Sequence, residues 1–347
     1  MVLHKNIFPF FIFYTANETA FHVILVMYFL ITVDTEADNQ WKRESPRTVD
    51  NIRFLPRFQK LCEQYGFIPT YLITHEVAVD PFAIDLLSGW REKGTAEIGA
   101  HLHPWTTPPL LPDEERAVPE KRFPSQLSDD LLRQKLETLT RTIQNNFSFA
   151  PKIFRAGKWG LDERMIDYLS EFGYIVDCSV SPKVNWRDFV DSSKMDGVPD
   201  YSRSPVFPHF LYSRKGRKIF EVPVTILYTR FGFTEFFFPF HTRLGHMPYR
   251  VRFFMQRLYR LRWCRVFPET QVSDLVSLYE LAGKNRLPIF EFIIHSSELM
   301  PGGSPYNKTR ESIEKMYTTL ESFFSFLSKQ DVNGSGLQIF ADSYGSS

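Results

Sequence analysis

The residues equipped to do chemistry stand at the ends of apolar runs. Thr32-Val33-Asp34-Thr35-Glu36-Ala37-Asp38 closes one run with three carboxylates spaced by two. Asp34 and Glu36 leave the same face of an extended chain. Glu97-Ile98-Gly99-Ala100-His101-Leu102-His103-Pro104-Trp105 closes another run with two imidazoles two residues apart, which also share a face, while Leu102 turns the other way into packing. Pro104 cannot continue a ladder, so the pair stands where a strand becomes a loop. Two neutral imidazoles on one face are half of a divalent metal site, because zinc and its neighbours favour nitrogen donors at short fixed distances. An H-x-H word alone is a weak signal. It gains weight from Arg155 and His295, each of which ends a further apolar run.

These side chains meet only if their strands run in parallel, and the order of elements predicts that they do. Val23 to Val33 reads as a first buried strand, followed by a helix from Pro46 to Tyr65 with apolar residues at Val49, Ile52, Leu55, Phe58 and Leu61. Strands follow at Pro69 to Thr74, Thr95 to His101, Lys152 to Arg155, Tyr174 to Ser179, Phe220 to Thr225 and Pro288 to Ile294, with a closing strand at Gly336 to Phe340. Helices are predicted from Pro81 to Lys93, Ser128 to Asn145, Leu161 to Phe172 and Tyr306 to Leu327. Residues 104–126 form a long loop. Alternating strands and helices imply an α/β fold with a parallel sheet, most simply a distorted (β/α) barrel forming a single domain over residues 27–345, without internal repeat or linker. In such a barrel every strand ends at the same rim, so Asp34, Glu36, His101, His103, Arg155 and His295 converge there.

At 347 residues with 43% apolar content, the chain can bury a core without staples. Lys+Arg (41) and Asp+Glu (40) nearly cancel, which gives no reason to expect a nucleic-acid partner. Cys62, Cys178 and Cys264 are odd in number and far apart, which argues against a disulfide framework, and a reducing, cytoplasmic setting is expected. The 34 phenylalanines, within 16% aromatic residues, exceed what a core needs and suggest a groove for a ring-shaped ligand or contact with a membrane surface. Residues 1–26 read as a dispensable N-terminal extension whose apolar run, Ile7 to Tyr14, is too short to span a bilayer. Residues 249–265 carry several arginines on a helical apolar period and read as a surface helix of the barrel, with peripheral contact to the inner membrane surface as the alternative.

With these words in order, the chain resembles the polysaccharide deacetylases with a NodB-type domain, carbohydrate esterase family 4, and more narrowly a WalW-like branch associated with cell-surface polysaccharide. Thr32 to Glu36, Glu97 to His103, Phe154-Arg155-Ala156-Gly157-Lys158-Trp159-Gly160 and Ile294 to Glu298 carry the resemblance, which spans residues 27–345. It implies hydrolysis of an N-acetyl group from an amino sugar, with an N-acetylated glycan or glycolipid as partner and a divalent metal, zinc first and cobalt, nickel or manganese as alternatives. His101 and His103 then resemble the metal histidines, Asp34 the base, His295 the acid and Arg155 the residue that orients the base. Thr35 stands where the family has a second Asp, so either Glu36 supplies the metal carboxylate or Asp34 does and the base is another group. Trp105 and Trp159 fit stacking on a sugar ring or, equally, burial over the barrel mouth. Glu298, three residues after His295, is expected either to orient it or, as the more ordinary reading, to be a solvated carboxylate; His75 is expected as a bystander, and no G-x-S-x-G elbow surrounds Ser296 or Ser297. The alternatives are hydrolysis of a small non-peptide amide on the same fold, or a carbohydrate-binding barrel without catalysis.

Overall fold

The computed structural model describes residues 27–38, 40–41, 48–112, 122–229 and 260–344. Its organising element is β1 (Met27–Thr35), buried along nearly its whole length as an interior parallel strand must be. On one side β1 pairs with β10 (Ile289–His295), in a register that sets Asp34 opposite His295. On the other side it is shared, with β11 (Val332–Ser335) along Met27 to Leu30 and β2 (Pro69–Ile73) along Ile31 to Thr35. The sheet continues from β2 through β3 (Glu97–Leu102), β4 (Ile153–Ala156) and β5 (Val176–Asp177), all parallel, and β3 pairs with β4 so that His101 lies beside Arg155. It then reaches β7 (Lys218–Glu221) and ends on the antiparallel β6 (His209–Tyr212). The result is a curled sheet, a distorted barrel whose two edges are not joined by a ladder among the described residues.

Period-two alternation sorts the strands into layers. Phe29, Ile31 and Val33 of β1 face outward and pack with Tyr71, Ile98, Leu102 and Phe154 against a coat of helices. These are α1 (Leu55–Gln64), the one-turn α2 (His75–Ala78), α3 (Pro81–Glu92), α4 (Asp129–Phe147), α5 (Glu163–Glu171), α6 (Val272–Lys284) and α7 (Arg310–Leu327). Leu30 faces the other way, into a second cluster with Leu72, Ile153 and Ile289. Thr32 and Asp34 continue that inner row towards the rim.

Four sequence expectations are corrected. Gly336 to Phe340 is not a strand: the closing strand is β11, and Leu337–Tyr344 forms a helix, α8, whose Leu337, Phe340 and Ala341 recur at helical spacing and enter the inner cluster as its floor. The strand expected from Phe220 to Thr225 begins earlier and stops before Pro223, and it is half of a hairpin that turns at Gly216, with φ +76°. The helix expected from Pro46 starts as a 3-10 turn, Asp50–Phe54, held by Asp38, whose carboxylate accepts from the backbone amides of Asp50 (3.0 Å) and Asn51 (2.9 Å). Of the basic helix expected at 249–265, residues 249–259 lie outside the described residues, and Leu261–Trp263 is a strand, β9, antiparallel to β8 (Ile226–Tyr228). Residues 1–26 also lie outside the described residues. Among the described residues no helix is long and apolar enough to cross a membrane.

Glu97 opens the histidine word yet serves the far end of the sheet. Its carboxylate accepts from the amides of Gln338 (2.9 Å) and Ile339 (3.1 Å) in the first turn of α8, and from the hydroxyl of Thr70 (3.0 Å). Amides at a helix start have no partners within the helix, so this contact holds the floor to β3. Glu97→Ala is therefore expected to lower stability in urea unfolding by about 1–2 kcal/mol. An unaltered unfolding midpoint would remove this role.

Candidate active site

The rim of the sheet brings the four site words together. Asp34, Glu36, His101, His103, Arg155 and His295 all line one cavity of about 210 Å³ together with Trp105 and Trp159. Asp34, Glu36, His101 and His103 are each only 3% exposed, so their partners rather than solvent govern their charge.

Glu36, His101 and His103 form a cluster in which one donor atom from each lies within 4.8 Å of the others. His103 Nε2 is 3.3 Å and His101 Nε2 4.0 Å from Glu36 Oε2. The His101 ring is oriented from behind: its Nδ1 lies 3.1 Å from the backbone carbonyl of Arg155, which can only accept, so the proton sits on Nδ1 and Nε2 turns its lone pair into the cavity. Burial, countered by Asp34, holds the His101 pKa down to about 4, so the ring is neutral and available as a donor. His103 stacks on Trp105 at 4.2 Å, and the Trp105 indole N–H donates to Gln40 Oε1 at 3.0 Å. Gly157 matters for space, since a Cβ there would meet the Leu102 carbonyl at 2.5 Å and His103 Cδ2 at 2.6 Å. The loop after His103 is tied down by Lys135 of α4, fully buried, whose ammonium donates to the carbonyls of Pro104, Thr107 and Pro109 at 2.7 Å each. A carboxylate with two oriented neutral imidazoles fits a divalent cation in donor type and spacing.

Asp34 is engaged differently. Arg155, with no exposed surface, donates from Nη1 to Asp34 Oδ1 (2.6 Å) and Thr32 Oγ1 (3.0 Å), from Nη2 to Glu291 Oε1 (3.2 Å), and from Nε to the Cys178 carbonyl (2.9 Å). Burial pushes the Asp34 carboxyl up, but Arg155 and the neighbouring imidazoles pull harder and bring it to about 2. Its other oxygen, Oδ2, faces His101 Nε2 at 3.9 Å and His295 Nε2 at 3.7 Å.

His295 stands across the cavity from the His101 and His103 pair. Its Nδ1 meets Glu298 Oε1 at 2.8 Å, and Glu298 also accepts from the His295 backbone amide (2.9 Å) and from Arg265 Nη2 (2.5 Å). Glu298 is fully buried, which corrects the solvated carboxylate expected from sequence: the 3-10 turn Ser296–Leu299 folds it back onto the imidazole. Burial raises its pKa, yet Arg265 and His295 outweigh that and hold the carboxyl below its ordinary value, so it stays anionic. Trp41 packs edge-on against the His295 ring at 4.9 Å.

Trp105 (4% exposed) and Trp159 (8%) are mostly buried, the first stacked on His103 and the second 5.0 Å from the Arg155 guanidinium, and both line the cavity. Trp41, which sequence reasoning passed over, is half-buried and lines the same cavity. Its only sequence signal was an aromatic residue soon after the first carboxylate word. Asp38, third in that word, holds the following turn instead, and His75 is absent from the cavity lining.

No protein-family model matches the sequence, and neither does any curated protein. At the level of structure the chain resembles a protein assigned as a polysaccharide deacetylase in Mycobacterium smegmatis, with a TM-score of 0.54 and 13% identity, covering 92% of this chain and 91% of that one. It also resembles the PuuE allantoinase, with a TM-score of 0.55, 11% identity and coverage of 93% and 92%. A third likeness is to a protein assigned as a polysaccharide deacetylase in Pseudomonas aeruginosa, with a TM-score of 0.51, 12% identity and coverage of 92% and 90%. The distorted (β/α) barrel of the deacetylase type is thus the fold of this chain.

The geometry separates the two carboxylates. Glu36→Gln, His101→Ala and His103→Ala are each expected to lower bound metal after supplementation with zinc or cobalt, because each removes one of three donors. Asp34→Asn, which keeps an acceptor for Arg155, is expected to retain the metal. Elemental analysis of the purified proteins reads the outcome, and metal content equal to the parent's in the first three variants would refute the cluster as a metal site.

Proposed function

We propose that the chain is a metal-dependent hydrolase that removes an N-acetyl group from an amino sugar of a cell-surface polysaccharide or glycolipid intermediate, in the cytoplasm and with zinc as the metal. The observation that carries this reading is the opposition of His295, backed by Glu298, to the Glu36–His101–His103 cluster, with the ionised Asp34 between them. Three buried free thiols suit the reducing compartment.

A divalent ion held by Glu36, His101 and His103 would supply Lewis acidity, polarising the amide carbonyl and lowering the pKa of an attacking water. The protein's own groups handle the protons. Arg155 occupies Oδ1 of Asp34, so Oδ2 is the oxygen turned towards His101 and His295, placed to take a proton from the water. A carboxylate with a pKa of about 2 holds that proton only in passing. His295 is placed to supply one to the departing amine: its Nδ1 is engaged by Glu298, which leaves Nε2 facing the cavity. Trp41, Trp105 and Trp159 bound the space that the sugar ring would fill.

A second reading, hydrolysis of a small non-peptide amide, has one observation in its favour: a cavity of about 210 Å³ is small for a polymer site, and the allantoinase shares the fold. Assay of the metal-loaded protein on N-acetylglucosamine oligomers and on a cyclic ureide separates the two. On the productive substrate His295→Ala is expected to lower turnover by roughly 10²- to 10⁴-fold with metal content and melting temperature retained. A variant with bound metal and undiminished turnover would sink the acid assignment, and loss of metal together with turnover would make His295 a ligand instead.

A further inference from the structure

Outside the catalytic cavity the rim carries a larger one. A groove of about 510 Å³ lies between the start of α1 and the start of α7, with Leu299 and Tyr317 in its lining and three arginines, Arg53, Arg57 and Arg310, around it. Leu299 is 1% and Tyr317 6% exposed, so the lining includes a packed apolar surface, whereas Arg53, Arg57 and Arg310 are exposed. The single carboxylate in the lining, Glu314, is spent on Arg57, which it chelates at 2.6 and 2.7 Å while the guanidinium lies 3.8 Å over the Tyr317 ring. Arg53 is held 4.6 Å over the Phe82 ring, a contact that leaves its charge uncompensated. Among the described residues neither Arg53 nor Arg310 belongs to an ion pair. The groove therefore carries an excess of two positive charges on an otherwise balanced protein.

Topology places this groove beside the catalytic cavity. Helix α1 follows β1 and α7 follows β10, and these adjacent strands bring Asp34 opposite His295. In a parallel sheet the helices that follow the strands begin at the rim where the strands end, so the groove opens on the same face as the site. Leu299 lies four residues after His295 along the 3-10 turn Ser296–Leu299, a separation of about 8 Å at the usual rise of such a turn. A chain molecule with one residue at His295 can therefore lay a neighbouring residue in the groove.

We propose that this groove is a subsite for an acidic residue of the substrate glycan, a sugar carrying a carboxylate. The inference rests on the hydrolase reading and specifies its substrate class: N-acetylated glycans with uronate units rather than neutral polymers of the amino sugar. Guanidinium pairs with carboxylate through two parallel hydrogen bonds, and the apolar surface between the arginines suits the C–H face of a pyranose. Arg57, already paired with Glu314, shapes the groove, while Arg53 and Arg310 meet the anion.

The test compares calorimetric binding of a tetrasaccharide alternating N-acetylglucosamine and glucuronate with that of the N-acetylglucosamine tetramer, on the metal-loaded protein and on the variant carrying Arg53→Ala and Arg310→Ala. Acidic over neutral preference is expected to be roughly tenfold in the parent, to shrink as salt rises, and to vanish in the variant, whose turnover of the neutral oligomer stays that of the parent. Equal affinity for the two oligomers, or a preference that survives both substitutions, overturns the proposal. The single variants, both at exposed positions, keep the comparison open if the double variant melts early. Because binding is read without turnover, an acidic preference without deacetylation would sink the activity and keep the subsite, and deacetylation without preference would do the reverse.

Discussion

The interaction on which the rest of the molecule depends is the burial of the Arg155 guanidinium inside the curled sheet. An unpaired charge removed from water at that depth is costly, and removing one partner of such a pair typically costs about 3–5 kcal/mol. Every donor direction of Arg155 used in the structure is answered from a different place: Asp34 and Thr32 on β1, Glu291 on β10, and the Cys178 carbonyl after β5. Burial opposes the charge, but the facing carboxylates outweigh it and raise the guanidinium pKa, so the cation is permanent. Glu291 is pushed the other way by its burial, although Arg155 and the Thr32 hydroxyl, which donates to it, draw it back. One side chain thus ties four parts of the sheet together directly beneath the rim and keeps Asp34 ionised there.

That arrangement gives two carboxylates two residues apart different partners. Asp34 points along the inner row towards Arg155, and its second oxygen sits between His101 and His295. Glu36, one step beyond the end of β1, lies against His103 at 3.3 Å. In the proposed reaction this spares either carboxylate from serving both cation binding and proton transfer. Here the strand ends between the two, and the division follows from where the ladder stops.

Much of this was legible in the sequence because period-two alternation is a rigid rule. It placed His101 and His103 on one face with Leu102 in the packing, and it put Asp34, Arg155 and His295 at strand ends that the structure brings to one cavity. What escaped was decided by contacts between distant segments. Glu298 reads as an ordinary surface acid until the turn after β10 buries it between His295 and Arg265, and Arg265 itself was one of several arginines in a stretch with helical spacing. The run from Leu337 to Phe340 is too short for its period to tell helix from strand, and Glu97, 240 positions earlier, decides the matter by accepting from Gln338 and Ile339. The hairpin at Gly216 closes the sheet antiparallel, which the alternation of strands and helices before it did not announce.

Strand β3 has a mechanical role that follows from its two ends. Glu97 grips the floor helix at one end and His101 projects into the cavity at the other, four residues and about 13 Å further on. A paired strand does not stretch, and β3 is paired with β2 from Glu97 to Ala100 and with β4 from Ala100 to Leu102. Its ladders to β2 and β4 hold it in register, so the spacing between Glu97 and His101 is fixed, whereas the same number of residues in a loop could change its length by bond rotation. Helix α8, which takes no part in lining the cavity, is thereby fastened to the strand that carries His101.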